Sequence, residues 1–230
     1  MAETIPGFPE HFPVRADGRR SRRYRLVSAL CRLVLGALFG PRLRFRGAGN
    51  IPSAGPLLVA SNHLANWDPL IFGGYFPGTL HAMAKREIYG SRVTAWILAG
   101  CNCFPVERNG KDRRALRIAL DLMKSKRRLL LFVEGTRSHQ PGMRRAEPGA
   151  GFLVRRGQAR VLPVAISGTE AALRLRPFPR RGWITVRYGE PFRPQGKSDV
   201  EIADEIGAAI ATMLPDEYRG FYAAAVSGSQ

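Results

Sequence analysis

Leu129-Leu130-Leu131-Phe132-Val133 is an unbroken apolar run that stops abruptly at Glu134-Gly135-Thr136-Arg137-Ser138. A strand that does not alternate is buried on both faces, which requires a sheet covered by helices on each side. The polar turn at its carboxyl end falls where open α/β sheets place ligands. Pro56-Leu57-Leu58-Val59-Ala60 and Arg160-Val161-Leu162-Pro163-Val164-Ala165-Ile166 read as two more such strands. Pro163 implies an edge position or an irregularity in the second. Strands are also expected over 43–47, 80–84, 103–108 and 183–188, and helices over 69–76, 87–100, 111–126 and 200–213, the last capped by Ser198 or Asp199. Residues 139–151, rich in Gly, Pro and Arg, read as a surface loop. The alternation predicts an α/β layered fold, a mixed sheet flanked by helices.

The chain has 230 residues, enough for one well-packed domain. We expect an N-terminal arm and helix over 1–46 and the main domain over 47–230. An apolar content of 45% excludes a disordered chain, while 36 Lys and Arg against 18 Asp and Glu leave a formal charge of +18. That excess points to nucleic acid, an anionic membrane surface or phosphorylated substrates. The three cysteines lack metal-site spacing, so reduced thiols in a cytoplasm-facing protein and no metal are expected. Residues 1–25 have no apolar core, hence no secretory signal, and 1–18 suggest an extended arm. The apolar stretch 26–39 is interrupted by Arg32 and flanked by Arg22, Arg23 and Arg25 before it and Arg42, Arg44 and Arg46 after it. It falls short of the roughly 20 residues of a membrane span. An interfacial helix on an anionic leaflet and a core-packed first helix with a solvated flank both remain open.

Directly after the strand at 56–60 comes Ser61-Asn62-His63-Leu64-Ala65-Asn66-Trp67-Asp68-Pro69-Leu70. Asp68 before Pro69 reads as a helix N-cap with proline at the first helical position. His63 and Asp68 then face each other across one tight connection. A neutral imidazole can take a proton from a hydroxyl, and a carboxylate on its far nitrogen fixes the tautomer and stabilises the imidazolium. No Ser or Cys pairs with this histidine, so the simplest chemistry is direct attack of a substrate hydroxyl on an activated acyl group. The alternative is a capping aspartate and an ordinary loop histidine.

The segment from His63 to Asp68 resembles the His-four-residues-Asp motif of the glycerolipid acyltransferases. Phe104-Pro105-Val106-Glu107-Arg108 is similar to their second block, and Phe132-Val133-Glu134-Gly135-Thr136-Arg137-Ser138 to their third, with Val133 where proline is usual. Val161-Leu162-Pro163-Val164 is similar to the fourth. In this order and spacing the chain resembles the 1-acylglycerol-3-phosphate acyltransferases. The resemblance implies a glycerol-3-phosphate acyltransferase-like fold and transfer of a fatty acyl group from acyl-CoA or acyl carrier protein to a lysophospholipid hydroxyl. It implies His63 as general base oriented by Asp68, and Arg108 and Arg137 as holders of the acceptor phosphate. Gly135 and Thr136 would line the substrate, with Gly135 letting the backbone approach it closely. Glu134 would orient Arg137 or accept from a glycerol hydroxyl. Arg144 and Arg145, where relatives carry lysines, would retain phosphate attraction. No cofactor is implied, and the expected location is the cytoplasmic face of the cell membrane, peripheral or monotopic. Another lipid acceptor would suit the same motifs. No nucleic-acid motif accompanies the charge, which argues against the competing reading of a nucleic-acid-binding protein.

Overall fold

The computed structural model describes residues 21–107, 112–138, 142–171 and 182–228. The expected arm at 1–18 lies outside the described residues. Seven strands form one mixed sheet: β1 (Leu43–Arg46), β2 (Leu57–Ser61), β3 (His81–Lys85), β4 (Cys103–Val106), β5 (Arg128–Phe132), β6 (Arg160–Ser167) and β7 (Ile184–Tyr188). Their order is β1-β7-β6-β2-β5-β3-β4. The β6–β7 pair is antiparallel and all other pairs are parallel. The apolar runs become the central strands, β2 and β5 lying side by side with Ser61 opposite Phe132. β1, from the expected N-terminal appendage, pairs with β7 and belongs to this sheet.

Helices α1 (Arg22–Phe39), α2 (Asp68–Tyr75) and α3 (Arg92–Gly100) precede β4, and α4 (Arg113–Lys124), α5 (Pro148–Gly157), α6 (Asp199–Ala211), α7 (Asp216–Arg219) and α8 (Ala223–Ser227) follow it. Leu57, Val59, Leu130, Leu162 and Val164 pack with Leu35 and Phe39 of α1 and Ile71 and Phe72 of α2. Leu58, Ala60, Leu129, Val161 and Ala165 pack on the opposite side with α4, α5 and α6. Strand side chains alternate between faces, so each apolar run feeds two cores at once.

Three expectations need correction. Residues 148–151 open α5 instead of continuing a loop, because Pro148 occupies a first-turn position where its missing N–H costs nothing. Gly151 is there for closeness, since a Cβ on it would lie 1.9 Å from the Asp199 carbonyl oxygen. Pro163 sits in a central strand, so the edge position does not hold and the irregularity does. Its carbonyl accepts from Gly189 N–H at 2.9 Å while Val161 pairs both ways with Phe192, leaving Glu190 and Pro191 opposite Leu162. The single helix expected over 87–100 is a short 3-10 turn, Arg86–Tyr89, followed by α3 with a capping box at Ser91 and Thr94. Ser198 caps α6 by accepting from Glu201 N–H, as one of the two expected caps.

α1 has one packed face and one exposed face. One face, with Tyr24, Val27, Cys31, Leu35 and Phe39, is buried on the domain. Ser28 Oγ donates to the Gly73 carbonyl at 2.7 Å, and the Arg32 guanidinium donates to the Gly74 carbonyl. The other face exposes Leu26, Leu30, Leu33, Val34 and Leu38, with Leu33 70% exposed. The helix takes in Arg22 to Arg25 as well as the apolar stretch, so the 21-residue segment Arg22–Arg42, with an 18-residue window of mean hydropathy 1.3, is long and apolar enough to cross a membrane by length and composition. The three cysteines are free thiols, with Cys103 opening β4.

Candidate active site

The site lies at the carboxyl ends of β2 and β5, adjacent strands whose outgoing helices, α2 and α5, cover opposite sides of the sheet. Such a switch point leaves a crevice that no crossover fills. The two loops leaving it are laced together by backbone: Val133 N–H donates to the Ser61 carbonyl at 3.0 Å and Ser138 N–H to the His63 carbonyl at 2.9 Å.

His63 Nδ1 lies 2.8 Å from Asp68 Oδ2. The same oxygen accepts the backbone N–H groups of Leu64 at 2.7 Å and Ala65 at 2.8 Å. Asp68 is fully buried, and a buried carboxylate held by donors is an acceptor only. Nδ1 therefore carries the hydrogen, and Nε2 is the basic nitrogen. Phe132 stacks on the imidazole, ring centroids 4.1 Å apart and planes 19° from parallel, which fixes the ring's second degree of freedom.

The expected N-cap role of Asp68 does not hold. It is the first residue of α2, Trp67 is the capping position, and no side chain caps the helix. The carboxylate turns back to the loop because Leu64 and Ala65 offer two N–H groups there. The positive end of the α2 dipole still favours its charge.

Glu134 is 1% exposed. Its Oε1 accepts His63 N–H at 2.9 Å and its Oε2 accepts Arg144 N–H at 2.8 Å. It thus neither orients Arg137 nor faces a substrate hydroxyl, but ties the histidine backbone to the following loop. Burial pushes its carboxyl above the usual carboxylate range, against the lowering pull of the Arg144 and His63 N–H groups. Gly135 has φ +66°, a left-handed conformation that glycine adopts without penalty. Thr136 and Arg137 follow, both half-buried, in the turn whose next residue, Ser138, donates to the His63 carbonyl. Arg145 is turned away: it pairs with Asp204 at 2.6 Å and lies over the Phe221 ring. Arg108 lies outside the described residues.

The family model for acyltransferases matches residues 42–167. The chain belongs to the acyltransferase family. The chain is 32% identical over 158 residues to 1-acyl-sn-glycerol-3-phosphate acyltransferase alpha of Homo sapiens, a match covering 67% of this chain and 56% of that protein. It is 23% identical over 200 residues to the 1-acyl-sn-glycerol-3-phosphate acyltransferase of Streptococcus pneumoniae, covering 85% and 72% of the two chains. The crystal structure of the 1-acyl-sn-glycerophosphate (LPA) acyltransferase PlsC from Thermotoga maritima superposes with a TM-score of 0.66 at 23% identity, over 85% of this chain and 83% of that one. The chain thus spans little more than half of the human relative and most of the bacterial ones.

Asn62, which the sequence reading passed over, is fully buried beside the histidine in this acyltransferase. Its amide donates to the Ile166 carbonyl at 2.9 Å and accepts Ile166 N–H at 2.8 Å, extending the β2–β6 pairing past the ladder. A polar amide directly after a buried strand was the available signal, since such a group needs partners. Glu134→Gln retains one acceptor oxygen for the two N–H groups. It is expected to lower stability by about 1–3 kcal/mol and to speed amide exchange at His63 or Arg144. Wild-type protection at both amides would remove Glu134 as the tie between the loops.

Proposed function

We propose that the chain moves a fatty acyl group from the thioester of acyl-CoA or acyl carrier protein to the free hydroxyl of a lysophospholipid, 1-acyl-sn-glycerol-3-phosphate, giving phosphatidic acid. The observation that carries this reading is His63, held by Asp68 through Nδ1 so that Nε2 is the basic nitrogen at the sheet's switch point. The acceptor hydroxyl loses its proton to Nε2 as its oxygen attacks the thioester carbonyl. Asp68 stabilises the imidazolium that forms. Collapse of the tetrahedral intermediate breaks the C–S bond, and the imidazolium proton passes to the leaving sulfur. A serine or cysteine nucleophile is not needed, because the thioester arrives activated. Arg137 and Arg108 hold the acceptor phosphate, for which a guanidinium fork is matched in shape and charge. Gly135 and Thr136 shape the turn that brings Arg137 to the rim. The names of the relatives support the choice of acceptor.

The acceptor is a lipid, and α1 supplies a face for its surface. Leu26, Leu30, Leu33 and Leu38 are exposed together, with Arg22 and Arg25 at the start of the helix and Arg42 just beyond its end. This pattern suits peripheral or monotopic binding to an anionic leaflet at the cytoplasmic face. Phe39 at the end of α1 meets Trp67 edge-on at 6.0 Å, so the lipid-facing helix leads to the His63 loop.

His63→Ala is expected to reduce turnover with acyl-CoA and lysophosphatidic acid by about 100-fold or more with an unchanged circular dichroism spectrum; near-normal turnover would sink the general-base role. Arg137→Ala should raise KM for lysophosphatidic acid about tenfold and leave KM for the thioester alone, and equal effects on both would take Arg137 out of the acceptor site. Leu30→Asp with Leu33→Asp should cut flotation with anionic vesicles about tenfold or more, since each buried leucine contributes about 1.5–3 kcal/mol. Flotation at the wild-type level would show that α1 does not face lipid.

A further inference from the structure

The two sides of the sheet differ in what they expose. α1 exposes an apolar face, whereas α4 exposes a cationic one. Arg113, Arg114, Arg117 and Lys124 are all exposed on α4, and at about 100° per residue they fall on one arc of roughly 100°, which they share with the exposed Asp121 for a net charge of +3. Ala115, Ala119, Leu122 and Met123 on the opposite arc are buried. No acidic residue lies in the first turn. Arginines there oppose the helix dipole, each at a cost of about 0.3–1 kcal/mol. The Asp112 carboxylate is occupied as the cap, Oδ1 accepting Ala115 N–H at 2.9 Å and Oδ2 accepting Glu107 N–H at 3.0 Å. Among the described residues Arg113 and Arg117 form no ion pair.

We propose that this face of α4 docks an acidic acyl carrier protein, which then presents its thioester to His63; the inference rests on the acyl-transfer reading above. Location supports it. α4 begins just after β4 ends, on the edge of the sheet that holds His63, and β4 is three strands from β2. That is about 14 Å at normal strand spacing, a distance that a phosphopantetheine arm covers. α4 packs in the layer of α5 and α6, on the other side of the sheet from α1, so a membrane held by α1 leaves these cations facing water. Their extent argues for a protein surface over the clustered phosphates of CoA: residues 113 to 124 run about 16 Å along the helix. α4 carries no aromatic residue on which bases could stack, which disfavours nucleic acid. The two substrates would then approach one histidine from opposite sides, the lipid from α1 and the soluble donor from α4.

The test titrates palmitoyl-loaded acyl carrier protein into the full chain and into Arg113→Glu/Arg117→Glu at low and moderate salt. Carrier affinity is expected to fall about tenfold or more in the variant, and to fall with salt in the wild type. kcat/KM with palmitoyl-CoA should not change. Glutamate at 113, in the first turn, favours the helix dipole, and an unchanged palmitoyl-CoA turnover in the variant shows that a loss of carrier binding does not reflect a melted α4. Equal carrier affinity in both proteins, an equal loss of palmitoyl-CoA turnover, or tighter binding of a short DNA duplex through the same arginines would each overturn the proposal. If the wild type acylates lysophosphatidic acid from neither donor while carrier binding still depends on Arg113 and Arg117, the acyl-transfer reading fails and the docking surface stands.

Discussion

A single buried carboxylate oxygen sets the shape of the His63 loop. Asp68 Oδ2 accepts the imidazole Nδ1–H and two backbone N–H groups within 2.8 Å. A hydrogen bond to a charged group contributes about 1.5–3 kcal/mol, so loop, ring and the start of α2 hold together as a unit. Glu134 fixes the same residue from behind, through its backbone N–H. One histidine is thus positioned by two buried carboxylates, by its ring and by its amide.

The rigidity of that unit comes from the strands beneath it. β2 lies between β5 and β6, and its end is extended on both sides: by Val133 N–H to the Ser61 carbonyl, and by the Asn62 amide to Ile166. Each contact satisfies a backbone group that the strand ends would otherwise leave unpaired in a buried place. The region around His63 therefore has little freedom to relax, as the proposed general base requires.

Around this centre the molecule is sided. The apolar face of α1 and the basic face of α4 lie across the sheet from each other, and the His63 loop leaves the carboxyl end of the central strand β2 between them. A formal charge of +18 is a sum over the whole sequence and carries no direction. The fold distributes it, turning Arg145 to Asp204 and Arg32 to the Gly74 carbonyl while leaving Arg113 and Arg117 in water.

The apolar runs, the turn after β5 and the His63–Asp68 spacing were legible because each depends on residues close in sequence. Periodicity marks burial, and six consecutive residues suffice to bring that imidazole to that carboxylate. The start of α5 was misread because Pro148, Gly149 and Gly151 have loop composition, and the need for a small residue at 151 arises only where Asp199 approaches. Asp68 was misread as a cap because local sequence shows the proline after it but not the direction of its side chain. Glu134 and Asn62 took their roles from partners far along the chain, His63 at 71 positions and Ile166 at 104. The sequence by itself determined the layered α/β class, the closeness of His63 to Asp68 and the cationic excess, since these follow from local pattern and composition. Only the tertiary structure decided which carboxylate holds which backbone, where the segment after β7 bulges opposite Leu162 and Pro163, and which cations face water, because those outcomes depend on what the folded chain brings against each group.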